Sequence, residues 1–270
     1  RAAEMDRPAE IGSAARPDTA ATPRPSPPGR GEQLAHVART LVDDAGYIVS
    51  APARLDRADP LKVAGVLAIT SVLAAYDQEI LDAFNRNHDE LPLRPLLEVG
   101  RFLDPIGYGR FNIYTGSIAT IAWLAGQDRI ARIGAEIVEA HLLAGIGKTA
   151  AIHLVGRTRP FQGDGPYEFF ADDATSFPSG HTINIFEIAT ILSHHVDRGW
   201  FTWLAYGAAG CVGLQRVEAD AHWASDVFLS ALYGTAVARA IVERHEPRAG
   251  PALAPHASAA GIGAGLAWRF

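Results

Sequence analysis

The stretch "SFPSGHTINIF", Ser176 to Phe186, puts Pro-Ser-Gly-His directly before a run of apolar residues at helical spacing. The helix it announces must begin near His181, with Ser179 and Gly180 at its mouth. Such a start can be a simple cap. It can also be an anion cradle, because the unpaired N–H groups of a first turn and the positive end of the helix dipole suit a phosphate. Gly180 lets the backbone approach a ligand closely, Ser179 adds a hydroxyl, and His181 could protonate a leaving oxygen in the same space. Other parts of the chain have to decide between the two readings.

Outward from this point the chain reads as helices. Asp59-Pro60 is a helix start, an N-cap followed by proline in the first turn. The run after it, "LKVAGVLAITSVLAAYDQEILDAF", is helical in pattern with room for a break, and "DPIGYGR" at 104–110 interrupts the next segment. Further helices are expected at about 111–125, 129–154, 181–196, 200–214 and 221–243. No period-2 pattern competes except at the extreme C-terminus, where "GIGAGLAWRF" alternates weakly. The expected fold class is all-α, a multi-helix bundle. Residues 1–32, rich in Pro and Ala, are expected to be disordered, 33–245 to form the helical domain, and 246–270 to be a loose tail that could end in a short strand.

Composition narrows the function. Of 270 residues, 48% are hydrophobic and 20% charged, which suits one sizeable core, and the net charge of −6 leaves no basic field for nucleic acid. The single cysteine, Cys211, excludes a disulfide framework and argues against a thiolate metal cluster. A membrane span needs about 20 mostly apolar residues. The uncharged runs here are short or carry polar residues, and the mean hydropathy is only +0.05. A water-soluble bundle with strongly buried helices is therefore expected, a membrane-embedded protein being the alternative.

Three separated segments carry the chemistry: "GRTRPF" (156–161), "PSGH" (178–181) and "QRVEADAHWASD" (215–226). His222 and Asp226 stand four apart at the start of an expected helix that Asp220 could cap, so both side chains would share one face. A carboxylate there could hold one ring nitrogen of His222 and leave the other as a nucleophile. A surface His–Asp pair has the same spacing. Arg159 and Arg216 together suggest a fork-shaped anion clamp. Arg157 is a weaker candidate for phosphate contact, and His194-His195 look like partners for a helix C-terminus.

These segments resemble the signature of the type 2 phosphatidic-acid phosphatase superfamily, which includes bacterial class A acid phosphatases and vanadium haloperoxidases. Its pattern is Lys-x6-Arg-Pro, then Pro-Ser-Gly-His, then Ser-Arg-x5-His-x3-Asp. The resemblance covers roughly residues 60–243, with specific motifs only in 148–226. It implies a helical bundle of the acid phosphatase/haloperoxidase type. It also implies a phosphatase acting on phosphate monoesters or on lipid and isoprenoid (pyro)phosphates, with no metal and no cofactor. His222 would attack phosphorus with Asp226 orienting it, and His181 would protonate the leaving alkoxide. Arg159, Arg216, Ser179 and Gly180 would hold the phosphate oxygens. The implied partner is a phosphorylated small molecule or lipid phosphate, with peripheral membrane contact, in an exported periplasmic or cell-envelope protein.

Two positions depart from the pattern. The family lysine should fall at Ile152; Lys148 lies one helical turn earlier, about 5.4 Å along the same face, within reach of a long side chain. Gln215 stands where the family has Ser. A vanadate-dependent haloperoxidase, weakened by the missing lysine at 152, and a catalytically degenerate envelope protein are the alternatives.

Overall fold

A computed structural model describes residues 30–54, 59–87, 93–246, 250–258 and 261–269. The chain divides into two compact units, Arg1–Arg39 and Thr40–Phe270. In the first, the described part is the opening of helix α1 (Arg30–Val49). The expected disorder of 1–32 falls almost wholly outside the described residues, and α1 is a helix that the sequence pattern did not single out.

The second unit is helical from the rest of α1 to His245. The expected helix from Asp59 is two: α2 (Asp59–Ala75) and α3 (Asp77–Arg86), bent by 53° at Tyr76. Next come α4 (Arg94–Leu103), a short 3-10 turn at Asp104–Gly107, and α5 (Phe111–Leu124). The long helix α6 spans Asp128–Val155, α7 Gly180–Val196, α8 Gly199–Glu218 and α9 Ala224–His245. Helix α8 runs further than expected and takes in Gln215 and Arg216; α9 starts later and leaves His222 outside it. In the tail, Gly250–Ser258 and Gly261–Arg269 pair as antiparallel strands, with Gly250 opposite Arg269 and Ser258 opposite Gly261.

Helix α7 is the centre of the bundle. It packs against α6, α8 and α9, while α5 lies on α6 and α4 on α8. Ile183, Ile188 and Ile191 of α7 meet Ile137, Ala140 and Ala144 of α6 and Val237, Ala238, Ile241 and Val242 of α9. Hydrogen bonds from Arg157 to Asp226 and from the Ser179 amide to Ser230 bring the C-terminal end of α6, the N-terminal end of α7 and the N-terminal end of α9 together. All three carry residues singled out above.

The outer helices behave differently from the expected buried bundle. No residue of α2 is buried, although the helix is apolar along its length. Leu61 is 81% exposed, Trp203 83% and Leu124 73%, and Ile113, Ile118 and Ile121 of α5 are open as well. Among the described residues only α9 is long and apolar enough by itself to cross a membrane; the bent pair α2–α3 qualifies if taken together.

Candidate active site

Helix α6 ends at Gly156, whose left-handed backbone (φ 51°) turns the chain sharply into Arg157, Thr158 and Arg159. The three side chains then part company. Arg157 is buried and saturated. Its Nη1 donates to Asp226 Oδ1 (2.7 Å) and Ser225 Oγ (2.8 Å), its Nη2 to Asp77 Oδ2 (2.8 Å) and Pro166 O (2.6 Å), and its Nε also to Pro166 O (2.9 Å). Arg159 is half-buried, and its guanidinium donates among the described residues to Thr175 alone, at Oγ1 (3.0 Å) and O (3.2 Å). Burial and the neighbouring Arg216 lower its pKa, against the opposing charge of Asp226.

His222 sits in the turn between α8 and α9, buried. Its Nδ1 lies 2.6 Å from the carbonyl oxygen of Ser176. A carbonyl only accepts, so Nδ1 carries the proton and Nε2 keeps its lone pair. This corrects the expectation that Asp226 orients the ring from one turn along a shared helix face. Helix α9 begins at Ala224 with Trp223 at its N-cap position, so the four-residue spacing is not a helical one. Asp226 instead accepts from Arg157 and from Ser176 Oγ (2.6 Å). The carboxylate acts on His222 through Ser176: it fixes the residue whose carbonyl fixes the ring. Asp220 does not cap α9 either; it has a left-handed backbone, and its carboxylate accepts from Asn85 (3.2 Å).

Burial, followed by the charges of Arg159 and Arg216, pushes the His222 pKa down to about 3, and His181 adds to the effect. His181, in the first turn of α7, is lowered to about 4 by burial, then by Arg216, Arg159 and Lys148, against the opposing pull of Asp104. Arg159 and Arg216 thus act on both imidazoles, and Lys148 acts on His181. His181 packs edge-on against Tyr108, with ring centres 4.4 Å apart, and lies so close to Gly107 that a side-chain carbon there would come within 2.9 Å of the ring. Its Nε2 is 3.8 Å from Asp104 Oδ1, and the same oxygen is 3.2 Å from Arg216 Nη1. Arg216 Nε donates to Gln215 Oε1 (3.0 Å), so the residue that replaces the family serine holds the guanidinium.

The Pro-Ser-Gly-His turn works differently at its two central residues. Ser179 is fully buried; its amide donates to Ser230 Oγ (2.7 Å) and its hydroxyl accepts from Thr182 (3.0 Å). It braces the turn rather than offering a free amide. The first intrahelical bond of α7 runs from Ile183 N to Ser179 O (3.0 Å), so the amides of Gly180 and His181 precede the ladder and suit an anion. Lys148 reaches this turn. A carbon added at Gly180 would lie 3.2 Å from Lys148 Nζ, and both residues, with Tyr108, Asn112, His181 and Asn184, line a cavity of about 170 Å³. Position 152 is not needed to bring a lysine to the site.

Asp77, Asp104, Thr175 and Ser176 also contribute, and sequence reasoning did not name them. Asp104 had a signal in the break at 104–110, and Ser176 opens the segment that carries Pro-Ser-Gly-His.

Comparison with known proteins bears on the same region. The profile of the PAP2 superfamily matches residues 134–249, from α6 to just beyond α9. The matched stretch holds all three of the segments 156–161, 178–181 and 215–226. One similar protein is a lipid A 1-phosphatase of Porphyromonas gingivalis, 38% identical over 68 residues; the match spans 24% of this chain and 15% of that protein. Among solved structures, the chain is similar to LpxE of Aquifex aeolicus, with a TM-score of 0.46 and 20% identity over 62% of this chain and 94% of that one. It is also similar to a transmembrane PAP2-type phosphatidylglycerolphosphate phosphatase of Bacillus subtilis, with a TM-score of 0.44 and 20% identity over 68% and 98% of the two chains.

Proposed function

We propose that the protein is a lipid-phosphate phosphatase that works through a phosphohistidine at His222. The observation that carries this reading is the meeting of a buried imidazole, fixed at Nδ1 and open at Nε2, with Arg159, Arg216, Lys148 and a second imidazole at a helix N-terminus. The family of the region and the name of its Porphyromonas relative support the same activity.

In the first step the lone pair on His222 Nε2 attacks phosphorus. The P–N bond forms, the P–O bond to the alcohol breaks, and the imidazolium that develops is held through Nδ1–H by the Ser176 carbonyl. The equatorial oxygens lie against Arg159, Arg216, Lys148 and the amides of Gly180 and His181, which stabilise the spreading negative charge. His181 gives its proton to the departing alkoxide. In the second step neutral His181 takes a proton from water, the oxygen attacks phosphorus, the P–N bond breaks and phosphate leaves. A phosphate entering the site displaces Asp104 from Arg216 and brings negative charge next to His181, which raises the ring's proton affinity at the moment it must act as an acid. The residues supply the positive charge from side chains and backbone, and no step calls on a metal.

The lipid part of the proposal rests on the exposed apolar faces of α2, α5 and α8. Apolar surface of this extent on a soluble monomer marks a contact. Acyl chains suit it, with Trp200 and Trp203 at the start of α8 as interfacial anchors. The protein then works at a membrane of the cell envelope, on the periplasmic side. The test is turnover of phosphatidic acid in mixed micelles and of p-nitrophenyl phosphate, by the parent and by His222→Ala. The parent is expected to hydrolyse the lipid, with His222→Ala inactive on both. Equal activity in parent and variant would end the assignment, and hydrolysis of the soluble ester alone would end its lipid part.

A further inference from the structure

A second cluster of chemically capable side chains lies at the other end of the bundle. Asp44 of α1, Glu139 of α6 and His245 of α9 bring one potential ligand atom each within 4.8 Å of one another, and Asp44 and Glu139 are buried. Glu139 is nine residues before Lys148, about 13 Å along α6, and His245 is nineteen residues after Asp226, about 28 Å along α9. The cluster is therefore separate from the catalytic groups.

We propose that Asp44, Glu139 and His245 form a site for one divalent transition-metal ion, zinc being the best match. Three observations converge on it. The first is spacing. His245 Nε2 is 2.9 Å from Asp44 Oδ2 and 3.7 Å from Glu139 Oε2. Ligands about 2.0–2.2 Å from a zinc ion stand about 3.4 Å from each other in a tetrahedron, so these atoms are placed like corners around one ion. The second is an orphan. Glu139 Oε1 is buried with no hydrogen-bond partner among the described residues, and Oε2 of the same carboxylate is the oxygen 3.7 Å from His245 Nε2. A buried carboxylate oxygen without a donor is costly, and a cation removes that cost.

The third is the support behind the ligands. Metal-bound histidines commonly donate their other ring nitrogen to a carboxylate, which fixes the tautomer. His245 Nδ1 faces Glu136 Oε1 at 3.7 Å, and Glu136 Oε2 is in turn 2.6 Å from His195 Nε2. Asp44 is paired with Arg244 on its other oxygen. One nitrogen and two carboxylates, with no thiolate, suit zinc or manganese over copper(I), and zinc is the tighter binder of the two. The expected role is to clamp α1, α6 and α9 together.

Equilibrium dialysis of the full chain, stripped with chelator and then exposed to zinc, with metal measured by elemental analysis and unfolding followed by heating, tests this directly. The parent is expected to hold about one zinc per chain and to unfold several degrees higher with it, while magnesium does neither. Glu139→Gln keeps the side-chain size and relieves carboxylate crowding, so it should fold; it is expected to bind zinc at least 100-fold more weakly, as is His245→Gln. His194→Gln, at a more exposed histidine beside the cluster, should bind like the parent. Zinc well below one per chain in the parent, or one zinc retained by both ligand variants, would overturn the proposal and leave the cluster a network of ion pairs. Phosphatase activity does not enter this readout, so the two assignments stand or fall separately.

Discussion

Replacing Arg157 by methionine removes the cation that bridges two buried carboxylates. Asp77 and Asp226 both lose a charge-assisted hydrogen bond, at 2.8 and 2.7 Å, and Pro166 O and Ser225 Oγ lose theirs as well. Taking one partner from a buried ion pair costs about 3–5 kcal/mol, because the other charge is left without compensation. With two such carboxylates the variant should lie at the upper end of that range. Arg159→Met is the control. That guanidinium is half-buried and hydrogen-bonds to Thr175, with no buried carboxylate paired to it among the described residues, so its loss should change stability by under about 1 kcal/mol. Turnover should fall by about 10²–10³, as when an oxyanion donor is removed. Denaturant titration in detergent, paired with turnover on a lipid phosphate, separates the effects. Arg157→Met should unfold at much lower denaturant, and Arg159→Met should be stable and nearly inactive. If Arg157→Met unfolds with the parent, or if the two variants share one profile, the division between a structural and a phosphate-binding arginine is wrong.

Lys148→Ala should lower kcat/KM by on the order of 10²-fold in the same assay; unchanged turnover would mean that the charge beside Gly180 is unused. Ser176→Ala removes the hydrogen bond to Asp226 but keeps the carbonyl that holds His222, and should cost about 1.5–3 kcal/mol of stability. It should lower kcat more than it changes KM, and a change in KM alone would argue against its positioning role. The pH profile follows from the two histidines. With His181 at about 4 and His222 at about 3, both rings are neutral in the free enzyme above pH 4, so the proton needed by the leaving group arrives with a substrate monoanion. As the second phosphate pKa is near 6, kcat/KM should be level from about pH 4 to 6 and fall about tenfold per unit above it. A profile that rises to pH 8 would contradict these environments.

The helices of this fold were legible because apolar spacing and breakers are local properties. Asp59-Pro60, the break at 104–110 and the start of α7 at Gly180 all stand where their residues imply. The reach of Lys148 could be read from helix geometry, since one turn on α6 keeps the side chain on the same face. Local spacing misled at His222 and Asp226. Four residues apart suggests one helix face, yet the chain enters α9 only at Ala224, and Ser176, 46 residues before His222, supplies the contact. Asp77 joins Arg157 across 80 positions, and Asp44 joins His245 across 201. Partners at such separations are set by how helices stack, which no window of sequence contains. The exposure of α2 and α5 was also hidden, since an apolar helix reads alike whether protein or lipid surrounds it.

The most direct test is to stop the reaction within milliseconds and ask where the phosphate is. With substrate carrying radiolabelled phosphate, quenching in alkali should trap about one label per active chain, stable to base and released by acid, on the peptide that contains His222. The label should vanish in His222→Ala and build up when His181 is replaced by Asn with an activated ester as substrate. A chain that turns over freely yet never holds label, or holds it on any other residue, would show that the ring fixed by Ser176 is not the nucleophile.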